Sequence, residues 1–230
     1  MKTTDANSAN GRMHPVVLTD FDDTAAAQNV AEMLLNQFGD PYWKDVRQSF
    51  RDGHISLKEY QEITFRNIKA DRATMQAYVK DRANLRPYFR ELWGFCQSNG
   101  IHMAVVSQGL DFYIQAVLDT EKVGKVPVYA VATEFEDGEI TYHYNYTIPG
   151  KESAGNSKGF VVESFQKEGA YVFFAGDGHS DLEAARVANV TFAHRNLADF
   201  CDGENIPYHP FGDFKGILVA VRNYLLNTQK

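Results

Sequence analysis

Four short polar clusters in this chain could do chemistry together. The first is Asp20-Phe21-Asp22-Asp23-Thr24, the second Ser107-Gln108-Gly109 and the last Gly176-Asp177-Gly178-His179-Ser180-Asp181, with Lys158 between the second and the last. Gathered in one cleft, they would supply several carboxylates, a hydroxyl and an ammonium. Crowded carboxylates repel one another unless a cation binds. Oxygen-only ligands suit Mg2+, which takes few protein carboxylates and keeps several waters. A lysine beside such a metal would neutralise a dianion such as phosphate, and a serine hydroxyl and the N–H groups of a Gly-rich turn would donate to its oxygens. An aspartate not spent on the metal can attack phosphorus and form an aspartyl-phosphate. A second carboxyl two residues on can protonate the leaving oxygen and then deprotonate the incoming water.

The elements around these clusters would bring them together. Pro15-Val16-Val17-Leu18-Thr19 reads as a buried strand that delivers Asp20. Residues 101–107 and 171–175 read as two more buried strands, ending at Ser107 and Gly176, and 190–193 as a short fourth. Residues 126–132 and 139–146 form strands around the hairpin signal Asp137-Gly138. Between the first two strands, residues 28–85 have helical spacing, interrupted at Asp52-Gly53. Ser56 with Glu59 predicts a capping box there, and a further helix covers 72–79. Other helices are expected at 86–98 (opened by Pro87), 110–118, 157–168, 181–188 and 214–226. Alternating strands and helices predict an α/β fold, a doubly wound, mostly parallel sheet. Ligands bind at the carboxyl ends of such strands, where all four clusters fall. The expected domains are a flexible N-terminal tail, 1–13; a core, 14–27 and 86–230; and a helical insertion, 28–85.

Composition narrows the partners. The 230 residues carry 23 basic and 30 acidic side chains, net charge -7, with 44% hydrophobic and 23% charged. Such an acidic chain without a basic run is not built for nucleic acid or an anionic membrane. No apolar run approaches the roughly 20 residues of a membrane span, and Met1 to Arg12 lacks an apolar signal core. Two cysteines, Cys96 and Cys201, make no disulfide framework and fit a reducing, cytoplasmic setting. The expected partner is a small phosphorylated metabolite, met by a monomer or a homodimer.

The motifs Asp20-x-Asp22-x-Thr24, Ser107 after an apolar strand, Lys158, and Gly176-Asp177-Gly178-x-x-Asp181 resemble, in order and in context, those of the haloacid dehalogenase-like phosphatases. The resemblance spans roughly residues 15–195. It implies an aspartyl-phosphate route with Mg2+ as cofactor. Asp20 would be nucleophile and metal ligand. Asp22 would be the general acid/base and offer its carbonyl to the metal, with Thr24 orienting its loop. Ser107, Gln108, Gly109 and Lys158 would hold the phosphoryl group. Asp177 would bind metal, with Asp181 and His179 in support. The helical insertion would be a cap that closes over substrate. Within the family the layout looks like the phosphoserine phosphatase branch, and most like the methionine-salvage phosphatases for 2-hydroxy-3-keto-5-methylthiopentenyl-1-phosphate. Phosphoserine phosphatases themselves carry a glutamate and an arginine where this chain has Asn29 and Thr64, which argues against a zwitterionic substrate. Position 23 is usually glycine in the family; Asp23 adds negative charge at the entrance. The alternative is a phosphoserine phosphatase, or a phosphotransferase or phosphonatase of the same fold, the last needing a cap lysine such as Lys44, Lys58, Lys69 or Lys80. A non-catalytic phospho-accepting module is disfavoured, because a receiver has no carboxyl at the Asp22 position and no cap.

Outside these motifs the chemistry-bearing residues read as structural. His54, His102, His143, His194 and His209 lack metal-ligand spacing. Cys96 shares a helix face with Leu92 and belongs to the core. Tyr142, Tyr144 and Tyr146 alternate along one strand face.

Overall fold

The structure, a computed structural model, describes residues 13–228; the tail expected at 1–13 lies almost wholly outside them. Seven strands form one sheet: β1 His14–Thr19, β2 His102–Leu110, β3 Val128–Glu136, β4 Glu139–His143, β5 Ala170–Gly176, β6 Val190–Ala193 and β7 His209–Pro210. Their spatial order is β4-β3-β2-β1-β5-β6-β7. All neighbours run parallel except the β3–β4 hairpin. The α/β expectation holds.

Side chains alternate across the sheet as strand geometry demands. Val16, Leu18, Ala104, Val106, Val172 and Phe174 face one side. There they meet Val161 and Val162 of α7 (Lys158–Lys167) and Ala184 of α8 (Leu182–Val187). Val17, Met103, Val105, Phe173 and Ala175 face the other side. They pack on α5 (Phe89–Ser98), α6 (Asp111–Thr120) and α10 (Lys215–Thr228), with Phe89 edge-on to Phe214 at 5.1 Å.

Between β1 and α5 stand four helices: α1 Val30–Phe38, α2 Trp43–Arg51, α3 Leu57–Arg66 and α4 Arg72–Arg82. Ser56 caps α3 with the reciprocal Glu59 bond that the spacing predicts. The four helices share one apolar cluster with the sheet's α5/α6 side, through Val30, Leu34, Trp43, Phe65, Met75 and Val79. α4 lies on α6, and Gln76 donates to the Phe112 carbonyl at 2.9 Å.

Several elements differ from the sequence expectation: β4 ends at His143, so Tyr144 and Tyr146 lie beyond it, and β7 is a strand where none was expected. α5 begins at Phe89 rather than at Pro87, because Tyr88 is left-handed (φ 66°) and interrupts the chain there. α2 is a separate helix, and α9 (Arg195–Glu204) fills a stretch where none was expected. Both are mostly polar, with two buried residues each: Trp43 and Val46, and Leu197 and Cys201. That is too few for an apolar stripe to stand out. No helix among the described residues is long and apolar enough to cross a membrane.

Candidate active site

β1, β2 and β5 are adjacent, and their carboxyl ends open on one cleft of about 910 Å³. Sequentially distant clusters meet there because parallel strands all point their C-terminal ends the same way. Asp20, Asp22, Ser107, Gln108, Gly109, Lys158, Asp177 and His179 all line the cleft.

Lys158 is the hub. Its ammonium is buried and touches Asp20 Oδ1 at 2.7 Å, Asp181 Oδ1 at 2.6 Å and Ser180 Oγ at 3.2 Å. Three N–H donors thus meet three acceptors. The side chain is aimed by its helix start: Ser157 caps α7 through the Phe160 N–H at 3.1 Å and donates to Glu183 at 2.8 Å. Burial alone would push the ammonium's pKa down; Asp181 and Asp20 outweigh it and hold it above its ordinary value.

Asp181 is fully used. Its Oδ2 accepts the Asp177 and Gly178 N–H groups, both at 3.0 Å, while Oδ1 takes Lys158. A Cβ on residue 176 would collide with this carboxyl, so Gly176 gives it room. Asp181 therefore shapes the turn and holds the lysine. Thr24 donates to Asp177 Oδ1 at 3.3 Å. It thus ties the first loop to Asp177 rather than directly to Asp22.

The carboxylates outnumber their cation. One oxygen from each of Asp20, Asp177 and Asp181 lies within 4.8 Å of the others. Burial raises Asp20 well above the usual carboxylate range, and Lys158 offsets this only in part. Burial and the neighbouring Asp181 raise Asp177 to about 6. This donor set is all oxygen, carries surplus negative charge and is shielded from water, so it fits a hard divalent cation. Asp20 and Asp177 retain unspent lone pairs for it.

Asp22 faces elsewhere. Its Oδ1 accepts the Val30 and Ala31 N–H groups of α1 at 2.6 and 3.2 Å, and its Oδ2 accepts the Tyr113 hydroxyl at 2.7 Å. Burial raises its pKa to about 6, against these bonds. Such a carboxyl can exchange a proton near neutral pH, as a general acid/base must. Because the fold holds Asp22 above its free value of 3.8, the protonated form favours folding. That contribution is complete below about pH 4 and disappears as pH rises through about 6. Asp22→Asn is therefore expected to stabilise the chain above pH 7 by about 2 kcal/mol, discounted for partial exposure. Thermal melts at pH 8 and pH 4 check this, and the gain is expected to vanish at pH 4.

Sequence reasoning left out Tyr113, since an aromatic at helical spacing reads as core. Its ring is indeed buried, but its hydroxyl reaches Asp22 across 91 residues of chain. Gly109 permits the approach, because a Cβ there would strike the Tyr113 hydroxyl. Tyr113→Phe removes a donor to the Asp22 carboxylate. It is expected to raise the limb of the pH–rate profile that reports Asp22 by about one pH unit. Initial rates from pH 5 to 9 measure it.

Ser107 is buried; its Oγ accepts the Gly109 N–H at 3.0 Å and keeps its own proton to donate. The β2–β3 register shifts between Val106 and Leu110, which lifts Ser107–Gly109 out of regular pairing. Gln108 spends its amide on the Asn156 carbonyl at 3.0 Å, so it braces the loop before Lys158. His179 stacks edge-on against Phe200 at 5.3 Å. Burial raises the Cys96 thiol to about 12, in keeping with a core residue.

Residues 17–186 match the family model of the haloacid dehalogenase-like hydrolases. Among curated proteins, a 2-hydroxy-3-keto-5-methylthiopentenyl-1-phosphate phosphatase of Exiguobacterium sibiricum is 28% identical over 88% of this chain and 94% of its own. The polyol phosphate phosphatase PYP1 of Saccharomyces cerevisiae is 27% identical over 91% and 93%. A substrate-bound phosphoserine phosphatase superposes with TM-score 0.68 at 19% identity, covering 91% of this chain and 99% of that one; at this identity the likeness is one of fold.

Proposed function

The chain belongs to the haloacid dehalogenase-like hydrolases, and we propose that it is a Mg2+-dependent phosphatase of a small metabolite, working through an aspartyl-phosphate on Asp20. The observation that carries this reading is the cluster of Asp20, Asp177 and Asp181 around one buried lysine, with a separate carboxyl at Asp22 poised near pH 6.

Asp20 and Asp177 would hold the cation, which when bound supplies charge neutralisation for the nucleophile and the phosphoryl oxygens. The chain's own groups do the rest. The Ser107 hydroxyl donates to one phosphoryl oxygen, and Lys158 turns the donor it spends on Ser180, its longest contact, to another. The Asp20 carboxylate forms a bond to phosphorus as the ester P–O bond breaks, and Asp22 gives its proton to the departing alkoxide. Water then loses a proton to Asp22 and attacks phosphorus, and the Asp20–phosphorus bond breaks. Alcohol and phosphate leave, and both aspartates return to their starting states. Asp22 is held by the first helix of the 28–85 segment, which we take as the cap, so closure of that helix and delivery of the acid/base are coupled.

The preferred substrate is a phosphate ester whose alcohol part is partly apolar. Phe50, Leu57, Phe65 and Ile148 are among the residues lining the cleft, which suits the methylthio chain in the name of the Exiguobacterium relative. Asn29 is spent capping α1, and Thr64 bonds back to the Tyr60 carbonyl at 2.8 Å. Glu32 and Arg47 face the cleft but pair with each other. A phosphoserine substrate would have to separate them. Phosphate release with Mg2+ from a methylthiopentenyl phosphate, glycerol 3-phosphate, phosphoserine and an aryl phosphate tests the reading. The first ester is expected to give the highest kcat/KM, and EDTA is expected to stop all release. Absence of release from every ester would overturn the phosphatase assignment.

A further inference from the structure

Asp23 occupies a backbone conformation that side chains rarely take. Its φ is 59° and its ψ -1°, in the left-handed region that glycine enters freely. Asp23 forms an ion pair with Arg195, which also has a positive φ of 49°. Asn29 donates to the other Asp23 oxygen at 3.2 Å. Arg86 grips the main chain of the same turn, donating to the Asp23 carbonyl at 2.7 Å and the Thr24 carbonyl at 2.9 Å. The turn is thus tied down on three sides, and its carboxylate is aimed at one guanidinium.

Arg195 has a second carboxylate within reach. Its Nη1 stands 3.9 Å from Asp177 Oδ2. The root of α9 cannot drift away, because the Leu197 N–H donates to the Asp177 carbonyl at 2.9 Å and the His194 N–H to the Gly176 carbonyl at 3.1 Å. The guanidinium is left to choose between Asp23 and Asp177.

We propose that Asp23 is a positioning residue: it parks Arg195 on itself and so keeps the Asp177 carboxylate open for the divalent cation. The proposal rests on the reading of Asp20 and Asp177 as cation ligands. Without Asp23, the guanidinium would fork onto Asp177, whose planar carboxylate it matches. It would then compete with the cation for the same oxygens. The left-handed backbone at residue 23 is the cost of placing a carboxylate where it can intercept Arg195.

Mg2+ binding alone, followed by isothermal titration calorimetry, tests this without reference to turnover. Four proteins form the cycle: wild type, Asp23→Gly, Arg195→Ala and the double variant, each checked for folding by its thermal melt. Asp23→Gly is expected to weaken Mg2+ binding about 10- to 100-fold, the usual span for losing a group that orients a metal ligand. This should occur even though glycine suits the backbone better. Arg195→Ala in the wild-type background is expected to shift affinity far less. In the Asp23→Gly background it should recover most of the loss, a non-additivity that contacting residues show and independent ones do not. Asp23→Asn, which tolerates the left-handed backbone, serves if the glycine variant does not fold, and is expected to weaken binding in the same direction. An equal effect of Arg195→Ala in both backgrounds would mean two independent charges and would overturn the proposal, as would unchanged affinity in Asp23→Gly. Failure of wild type to bind Mg2+ would instead overturn the metal reading itself, and the proposal with it.

Discussion

Asp20→Asn is expected to lower kcat by about 10⁴-fold or more, the scale seen when a covalent nucleophile is removed. The amide has nearly the shape of the carboxyl but cannot form the acyl-phosphate bond. Its fold should survive. Asp20 is buried among like charges and its ionised form is disfavoured there, so neutralising it relieves repulsion from Asp181 and Asp177. Against that gain, Lys158 loses one of its two anionic partners and keeps Asp181 at 2.6 Å. The two effects oppose each other, and the melting temperature should move by only a few degrees. Steady-state phosphate release and a thermal melt on one preparation separate loss of chemistry from loss of structure. A variant that keeps a tenth of the wild-type rate would place the nucleophile elsewhere.

Lys158→Met makes the opposite separation, because it should damage stability and activity together. The methionine fills similar volume but leaves Asp20 and Asp181 buried without their shared ammonium. Removing one partner of a buried ion pair costs about 3–5 kcal/mol. For a chain of this size that is a fall in melting temperature of about 6–20 °C. The pH dependence carries a sign. Without the lysine the Asp20 carboxyl is pushed further toward the protonated form, so the destabilisation should be largest near pH 8 and shrink as acid neutralises it. A protonated Asp20 is no nucleophile, so turnover at neutral pH should also collapse. A lysine that were merely a solvated surface residue would give a change within about 0.5 kcal/mol and no pH trend.

The site's placement was legible because each motif sits at the end of an apolar run. Leu18-Thr19 delivers Asp20, Val105-Val106 delivers Ser107, and Phe174-Ala175 delivers Gly176-Asp177. Parallel strands in one sheet then do the gathering. Lys158 was legible through Ser157, whose cap fixes where α7 starts and so where the lysine points. What was not legible depends on contacts between distant segments. Tyr113 looks like any buried aromatic until its hydroxyl is seen on Asp22. Arg195 belongs to no motif and lies on a helix whose polar composition hides it, yet it sits between Asp23 and Asp177. Asp22 is the instructive case: its position was read from spacing. That its carboxylate is held by the first helix of the 28–85 segment follows from the turn at Asp23, which spacing does not encode.

The roles also divide differently from a simple reading of the four clusters. Asp181 is as acidic as Asp177 in sequence, but its oxygens are consumed by Lys158 and by two backbone N–H groups. Its work is to keep the lysine and the Gly176–Gly178 turn in place. Gln108, beside Ser107, acts on the loop at Asn156. Geometry thus leaves Asp20 and Asp177 with unspent oxygens and Ser107 with a proton to donate, sets Asp22 apart on α1, and uses Lys158, Asp181 and Gln108 to hold the neighbouring groups in place.

Acid quenching of the wild-type reaction within the first turnover, followed by peptide mass mapping, measures the covalent step itself. With Mg2+ and a hydrolysed ester present, a single phosphoryl group is expected on the peptide carrying Asp20, absent in Asp20→Asn and absent after EDTA. Full turnover with no phosphoryl group on that peptide, or with the group on another residue, would contradict the aspartyl-phosphate route.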